Sequence, residues 1–257
     1  MKRLLVLAAL APVMALASSA FDGTWKTDLH TFKATGKPDI YELSGGMYAC
    51  NSCAPAYKIK ADGTDQPVPD TGFSDHVAVS IVDKSTVDIT FKKAGKPLAK
   101  GVLTVSPDGS MFTGKYTNYY GEKPVMGTIT EKRVAAGPSG SHALSGSWLT
   151  DSVSDLSDAG RLITLHSTDN GIRLSWNGQT VDAKFDGKKY AWSNDPAITM
   201  SIFKKIGDTQ IEEFDYRKDK VTDDTIFTVA ADGKNITVVD TDPVHETKTS
   251  YTMDKQP

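Results

Sequence analysis

Gly23-Thr24-Trp25-Lys26-Thr27-Asp28 returns at a spacing of 123 as Gly146-Ser147-Trp148-Leu149-Thr150-Asp151. Around this pair the correspondence continues. Asp62-Gly63 is matched by Asp186-Gly187, and Leu103-Thr104-Val105-Ser106-Pro107-Asp108-Gly109 by Phe227-Thr228-Val229-Ala230-Ala231-Asp232-Gly233, both at a spacing of 124. A spacing held across most of two halves, with turn and apolar positions matched, describes one domain duplicated in tandem. Between the copies, Ala135-Ala136-Gly137-Pro138-Ser139-Gly140-Ser141-His142-Ala143 is small, polar and broken by Gly and Pro, the composition of a linker. The expected layout is a leader over 1–20, a first repeat over 21–134, a linker over 135–143 and a second repeat over 144–257.

The leader reads as a cleavable secretory signal. Lys2-Arg3 precedes an apolar run from Leu4 to Leu16, and small residues then offer cleavage after Ala17 or Ala20. A run of about 13 residues is too short for a bilayer, which takes ~20. No Cys follows to carry a lipid anchor, and no second apolar run occurs. The expectation is an exported chain, periplasmic or secreted and bacterial in character, with no membrane span. The full sequence holds 29 Lys and Arg against 32 Asp and Glu, a net charge of −3, and removal of Lys2 and Arg3 makes it −5. The charges are interspersed without a basic stripe, which leaves nucleic-acid binding without an electrostatic basis.

Within each half the dominant period is two. Val77, Val79 and Ile81 alternate with Ala78 and Ser80; Val87, Ile89 and Phe91 with Asp88 and Thr90. In the second half Ile172, Leu174 and Trp176 alternate with Arg173 and Ser175, and Ile198, Met200 and Ile202 with Thr199 and Ser201. This is the pattern of strands with one buried and one wet face. The punctuation is Gly45-Gly46, Asp62-Gly63, Asp108-Gly109, Asn170-Gly171, Asn177-Gly178 and Asp232-Gly233, pairs that supply the positive φ of tight hairpin turns. About eight strands follow the Gly-x-Trp segment in each half, in the first near 40–44, 46–50, 56–61, 75–82, 86–93, 98–105, 110–117 and 124–133. Residues 29–37 and 152–160 are the only places for a short helix. So many consecutive antiparallel strands leave two open edges unless the sheet closes. The expected fold is all-β: two tandem antiparallel up-and-down β-barrels of about 8–10 strands each, with a sandwich as the alternative.

Phe21-Asp22-Gly23-Thr24-Trp25-Lys26 resembles the opening of the calycins, the lipocalin and fatty-acid-binding-protein superfamily, and Gly146-Ser147-Trp148 repeats it. The rhythm from Lys93-Ala94-Gly95-Lys96 through Val105, then Asp108-Gly109 and Met111–Tyr116, is similar to the last strands of fatty-acid-binding proteins. The resemblance implies that Trp25 and Trp148 plug one barrel end each. It also implies a basic residue over each ring, Lys132 or Arg133 in the first half and Lys255 in the second. It further implies an enclosed cavity for one small apolar molecule. Phe91 and Tyr116, and in the second half Trp176, Phe203 and Phe214, are the aromatic positions that would line it or else fill the core. Ile211-Glu212-Glu213-Phe214-Asp215-Tyr216 breaks the alternation. A bulge near Glu212–Glu213 reconciles the two parities; the alternative turns one carboxylate inward to meet a polar head group.

Cys50-Asn51-Ser52-Cys53 holds the only two cysteines, and in an exported chain they are expected as a disulfide clasping a hairpin. A thiol–disulfide redox role is the remote alternative, since no helix follows to depress a thiol pKa. His30, His76, His142, His166 and His245 lack ligand spacing, and no metal or cofactor is expected. Nucleophile-elbow, phosphate-loop and zinc-protease motifs are absent, so no enzyme is expected. The expected function is binding of a small apolar molecule without catalysis; the alternative is a structural or protein-interaction module of the cell envelope.

Overall fold

The computed structural model describes residues 19–70 and 72–257. The leader expected over residues 1–20 lies outside the described residues except for Ser19 and Ala20. The chain opens with β1 (Gly23–Gly36), β2 (Asp39–Ser44), β3 (Met47–Cys50), β4 (Tyr57–Lys60) and β5 (Gln66–Pro67). It continues through β6 (His76–Ile81), β7 (Thr86–Lys93), β8 (Lys96–Val105), β9 (Met111–Asn118) and β10 (Val125–Ala136). The second half begins with β11 (Gly146–Ser154), the four-residue helix α1 (Asp158–Arg161), β12 (Leu162–Thr168), β13 (Gly171–Trp176), β14 (Gln179–Lys184) and β15 (Tyr190–Ala191). It closes with β16 (Met200–Lys205), β17 (Gln210–Arg217), β18 (Lys220–Val229), β19 (Asn235–Asp242) and β20 (Thr247–Lys255). Residues 29–36, within the stretch expected as a possible helix, belong instead to the long strand β1, whose Lys33–Gly36 pair with β20 after an irregularity between Asp28 and Lys33.

Two antiparallel ten-stranded sheets result, ordered β4-β3-β2-β11-β10-β9-β8-β7-β6-β5 and β14-β13-β12-β1-β20-β19-β18-β17-β16-β15. Each curls until its ends nearly meet. A bridge between Asp62 and Ser80 brings the two edges of the first barrel together, and one between Thr180 and Ser193 does so in the second. The expected tandem of near-closed antiparallel barrels is what forms.

The barrels exchange their first strands. β1 pairs with β12 and β20 of the second half, and β11 pairs with β2 and β10 of the first. The expected division into 21–134 and 144–257 is thereby corrected. The first barrel is residues 39–136 with 144–154, and the second is 21–36 with 162–255. The expected linker is also partly structural: Ala135 and Ala136 end β10, while Ala143 and Leu144 pack in the first barrel's core. Both opening strands carry the same Gly-x-Trp frame, and each enters the barrel built from the other repeat.

Each tryptophan therefore plugs the barrel built mainly from the other repeat. Trp25 is fully buried among Leu165, Ile172, Phe203 and Met253, and Trp148 among Leu43, Val77, Val79 and Phe112. Both indoles donate to the carbonyl four residues back, Trp25 Nε1 to Phe21 at 2.9 Å and Trp148 Nε1 to Leu144 at 2.8 Å. Arg133 lays its guanidinium 3.9 Å from the Trp148 ring centre and donates to the carbonyls of Gly109, Ala143 and Ser145. Lys255 Nζ stands 5.1 Å from the Trp25 ring centre. Lys132 faces outward to Asp151 at 2.5 Å, so Arg133 is the residue over the ring.

Cleaving the chain once within residues 137–141 should leave both fragments bound through the two exchanged strands, co-eluting in size exclusion and parting only in denaturant. Fragments that separate in native buffer would contradict the exchange. Trp25→Ala should cost roughly 3–5 kcal/mol. Amide exchange should then quicken in β12 and β20, far along the sequence, and not in β2 or β3.

Candidate binding site in the second barrel

The second barrel departs from simple patterning along β16 and β17. At and just before β16 the expected parity is inverted: Ile198, two residues before the strand, is 71% exposed, while Ser201 and Phe203 on it are buried inside. The expected buried face of Ile198, Met200 and Ile202 is therefore corrected, because their neighbours carry the polar groups that the interior uses. On β17 pairing with β16 runs unbroken through Lys204↔Glu212 and Phe203↔Glu213, so the bulge expected near Glu212–Glu213 is absent. The irregularity lies between Asp215 and Tyr216, on the β18 side. Glu213 and Asp215 thus point inward. Phe214 points outward under the Lys204 ammonium, 4.1 Å from its ring centre, and is not a cavity residue.

Inside lies a cavity of about 250 Å³. Trp176, Trp192, Phe227 and Tyr251 supply its aromatic wall, and Glu213, Asp215 and Asp240 its acidic one. It shares Trp176, Trp192 and Asp215 with a vestibule of about 160 Å³ that Tyr120, Asp195 and Arg217 border. Tyr120 belongs to the first barrel. Its loop is held in place by Asn177, whose carbonyl accepts from Glu122 N at 2.8 Å and whose amide donates to Lys123 O at 2.8 Å. A second loop of the first barrel grips the same rim, with Lys218 paired to Asp70 at 2.7 Å and Gly72 against the Arg217 side chain. Ring contacts run from Phe91 in the first barrel through Phe73 and Tyr120 to Trp176. The vestibule is therefore assembled by both barrels.

A hydrogen-bond relay orders the acidic wall. Trp192 Nε1 donates to Ser201 Oγ at 2.6 Å, and Ser201 Oγ donates in turn to Asp215. Thr225 Oγ1 donates to Asp240 at 2.9 Å. Glu213 is only 6% exposed, and its Oε1 has no hydrogen-bond partner. Removing a carboxylate from water disfavours its charged form. Burial, with the Asp215 charge adding, holds Glu213 well above the ordinary carboxylate range. Burial also pushes Asp215 to about 6 and Asp240 to about 6, against the favourable bonds from Ser201 and Thr225.

The first barrel is filled where the second is hollow. By strand register, Ser201, Glu213, Asp215 and Asp223 correspond to Val77, Ile89, Phe91 and Ala99. Asp240 corresponds to Tyr116, which lies over Gly127 so closely that a Cβ there would run into the phenol. A larger groove of about 620 Å³ at this barrel is bordered by Tyr116, Ile89 and Gly127 together with the outward-pointing Asp88, Lys100 and Lys115. Of the five aromatic positions read from sequence, Trp176 alone lines the second-barrel cavity. Phe91 and Tyr116 occupy the first barrel, and Phe203 is a fully buried core ring. The inward carboxylate, the expected alternative to a bulge at Glu212–Glu213, is the arrangement found, at Glu213; Asp215, Asp240, Trp192 and Tyr251 were not among the expected site residues.

Cys50 and Cys53 form the expected disulfide across the turn after β3, with Cys50 buried in the first barrel's core. Near it Glu131 is 4% exposed, with Oε2 unpartnered, and burial with the Asp39 charge pushes its carboxyl to about 8. Among the described residues no three His, Cys, Asp or Glu converge as metal ligands, and no helix is long and apolar enough to cross a membrane. Comparison of the chain with protein-family models, curated proteins and solved structures found no match.

A carboxyl whose pKa is raised by folding keeps its proton to higher pH than the same group in the unfolded chain, so the folded state holds more protons in between. Its contribution is complete below the unfolded value and is lost as pH climbs through the folded one. For Glu131 the window runs from ordinary glutamate titration up to about 8, with a slope of about 1.4 kcal/mol per pH unit. The urea midpoint should fall between about pH 5 and about pH 8, and Glu131→Gln should flatten that fall. An unchanged slope in the variant would show that Glu131 does not carry it.

Proposed function

We propose that the second barrel binds one small organic molecule and that the chain is a non-catalytic binding protein. The carrying observation is the aromatic-walled cavity of the second barrel, which shares Trp176, Trp192 and Asp215 with a vestibule that Tyr120 borders. Ligand sites are concave and mostly apolar, with a few polar groups that fix orientation. A cavity of about 250 Å³ lies just below the usual range and suits a single-ring body. The purely apolar ligand expected from the family resemblance gives way here to one with an apolar body and a polar head, because three carboxyls share the wall. Export, carried by the leader pattern of residues 2–20, would make it a periplasmic or secreted carrier.

Two of the four tryptophans, Trp176 and Trp192, border the cavity, so occupancy should register in intrinsic fluorescence. Titration with small aromatic amphiphiles should give a saturable emission change at one equivalent, and Trp192→Phe should diminish it. Native mass spectrometry should show the matching one-to-one adduct. A flat titration together with no adduct across the series would refute the reading.

A further inference from the structure

We infer that the second-barrel cavity selects an organic cation, an amine with an aromatic or apolar body, whose ammonium faces Glu213. This rests on the binding reading above and names its ligand class.

The interior is short of positive charge. Glu213, Asp215, Asp223 and Asp240 project from β17, β18 and β19, and none of them takes part in an ion pair among the described residues. Arg217, the nearest basic side chain, bends to the rim, where its Nε donates to Thr199 Oγ1 at 3.4 Å. The decisive group is Glu213. It is more than nine-tenths buried, it borders the cavity, and Oε1 has no partner. Buried polar atoms are nearly always satisfied, so an orphaned carboxyl oxygen on a residue that borders a cavity marks a place for a donor. The first barrel has Ile89 at that position, so the framework does not demand a carboxylate there.

The surroundings decide which donor. A neutral donor would satisfy one oxygen and leave the other acids in place. A cation satisfies the oxygen and at the same time offsets the negative charge that Asp215, Asp223 and Asp240 bring to the interior. A metal ion would need three or more ligands converging on one point, and no such group exists among the described residues. A diffuse ammonium needs no fixed coordination sphere. It also gains from the faces of Trp176 and Trp192, since aromatic rings attract cations and do so more strongly when water is excluded.

Burial favours the protonated form of Glu213. Binding of an ammonium would draw that proton off to solvent, leaving carboxylate against cation. The charged and titratable groups around it are Asp215 and Arg217 on β17, Asp223 on β18, Asp240 and Asp242 on β19, and His245 on the following hairpin. Tyr251 on β20 and, at the mouth, Asp195 and Tyr120 complete the set. Amine affinity should therefore rise with pH across the titration of these acids, for as long as the amine itself stays protonated.

The test uses the full chain and matched pairs: ethylamine, phenethylamine and tryptamine, each beside the alcohol that replaces its amino group. Calorimetry should give saturable binding for at least one amine and at least tenfold weaker binding for its alcohol. The apparent heat should depend on the buffer's ionisation enthalpy in the sense of proton release. Glu213→Gln should bring the amine down to the affinity of its alcohol while thermal unfolding stays cooperative; Asp240→Asn serves as a second variant should the first not fold. An alcohol that binds as well as its amine, or an amine indifferent to both variants, overturns the cation and leaves the binding reading standing. No saturation with any of the six compounds overturns both.

Discussion

Everything in this molecule depends on two strands that leave the repeat they open. β1 and β11 carry the tryptophan plugs, and each completes a barrel whose other nine strands come from the opposite half. A barrel is stable because closure removes its edges, and closure here requires a borrowed strand. The Arg133 guanidinium over Trp148 and the Lys255 ammonium over Trp25 fasten that strand at the point where it enters the foreign core. Domain swapping normally joins two chains through identical elements. Here the same economy operates inside one chain, and two barrels that could have been independent are fixed to one another.

That fixed relation is what makes the candidate site possible. Tyr120 and the loop around Asp70 and Gly72 reach the rim of the second barrel because the barrels cannot drift apart. The duplication also freed one copy from packing duty. With Val77, Ile89 and Phe91 filling the first interior, the second could place Ser201, Glu213 and Asp215 at matching points. Burying such groups is unfavourable unless something compensates. The second barrel retains a dry aromatic plug and core beneath them, with Trp25, Phe203, Ile236 and Val238 all fully buried.

Strand positions could be read closely from alternation and turn pairs. The expected segments near 86–93 and 98–105 are β7 and β8 almost to the residue, because Val87, Ile89 and Phe91 all face one core. The exchange could not be read. A repeat states that two segments are alike, and likeness is the very property that lets them trade places. The inward turn of Glu213 could be read only as the alternative to a bulge, for a different reason. Parity shows which residues share a face, whereas the choice of inner face assumes that apolar means buried. Around β16 and β17 that assumption fails: Ile198 and Phe214 lie outside while Ser201 and Glu213 lie inside, as happens where an interior is built to do more than pack.

The strand exchange also sets a timetable. β1 is made early, yet β12 and β20 are made more than a hundred and more than two hundred residues later. During synthesis the first strand has no lasting partner, and the second barrel waits for the last strand of the chain. Contacts so distant in sequence slow folding, because the connecting loop must close before they reward it. The C-terminus then locks the structure, with Gln256 N donating to Thr24 O at 2.8 Å. β1 and β20, the first and last of the described strands, lie side by side in one sheet, and β1 is among the last to find its place.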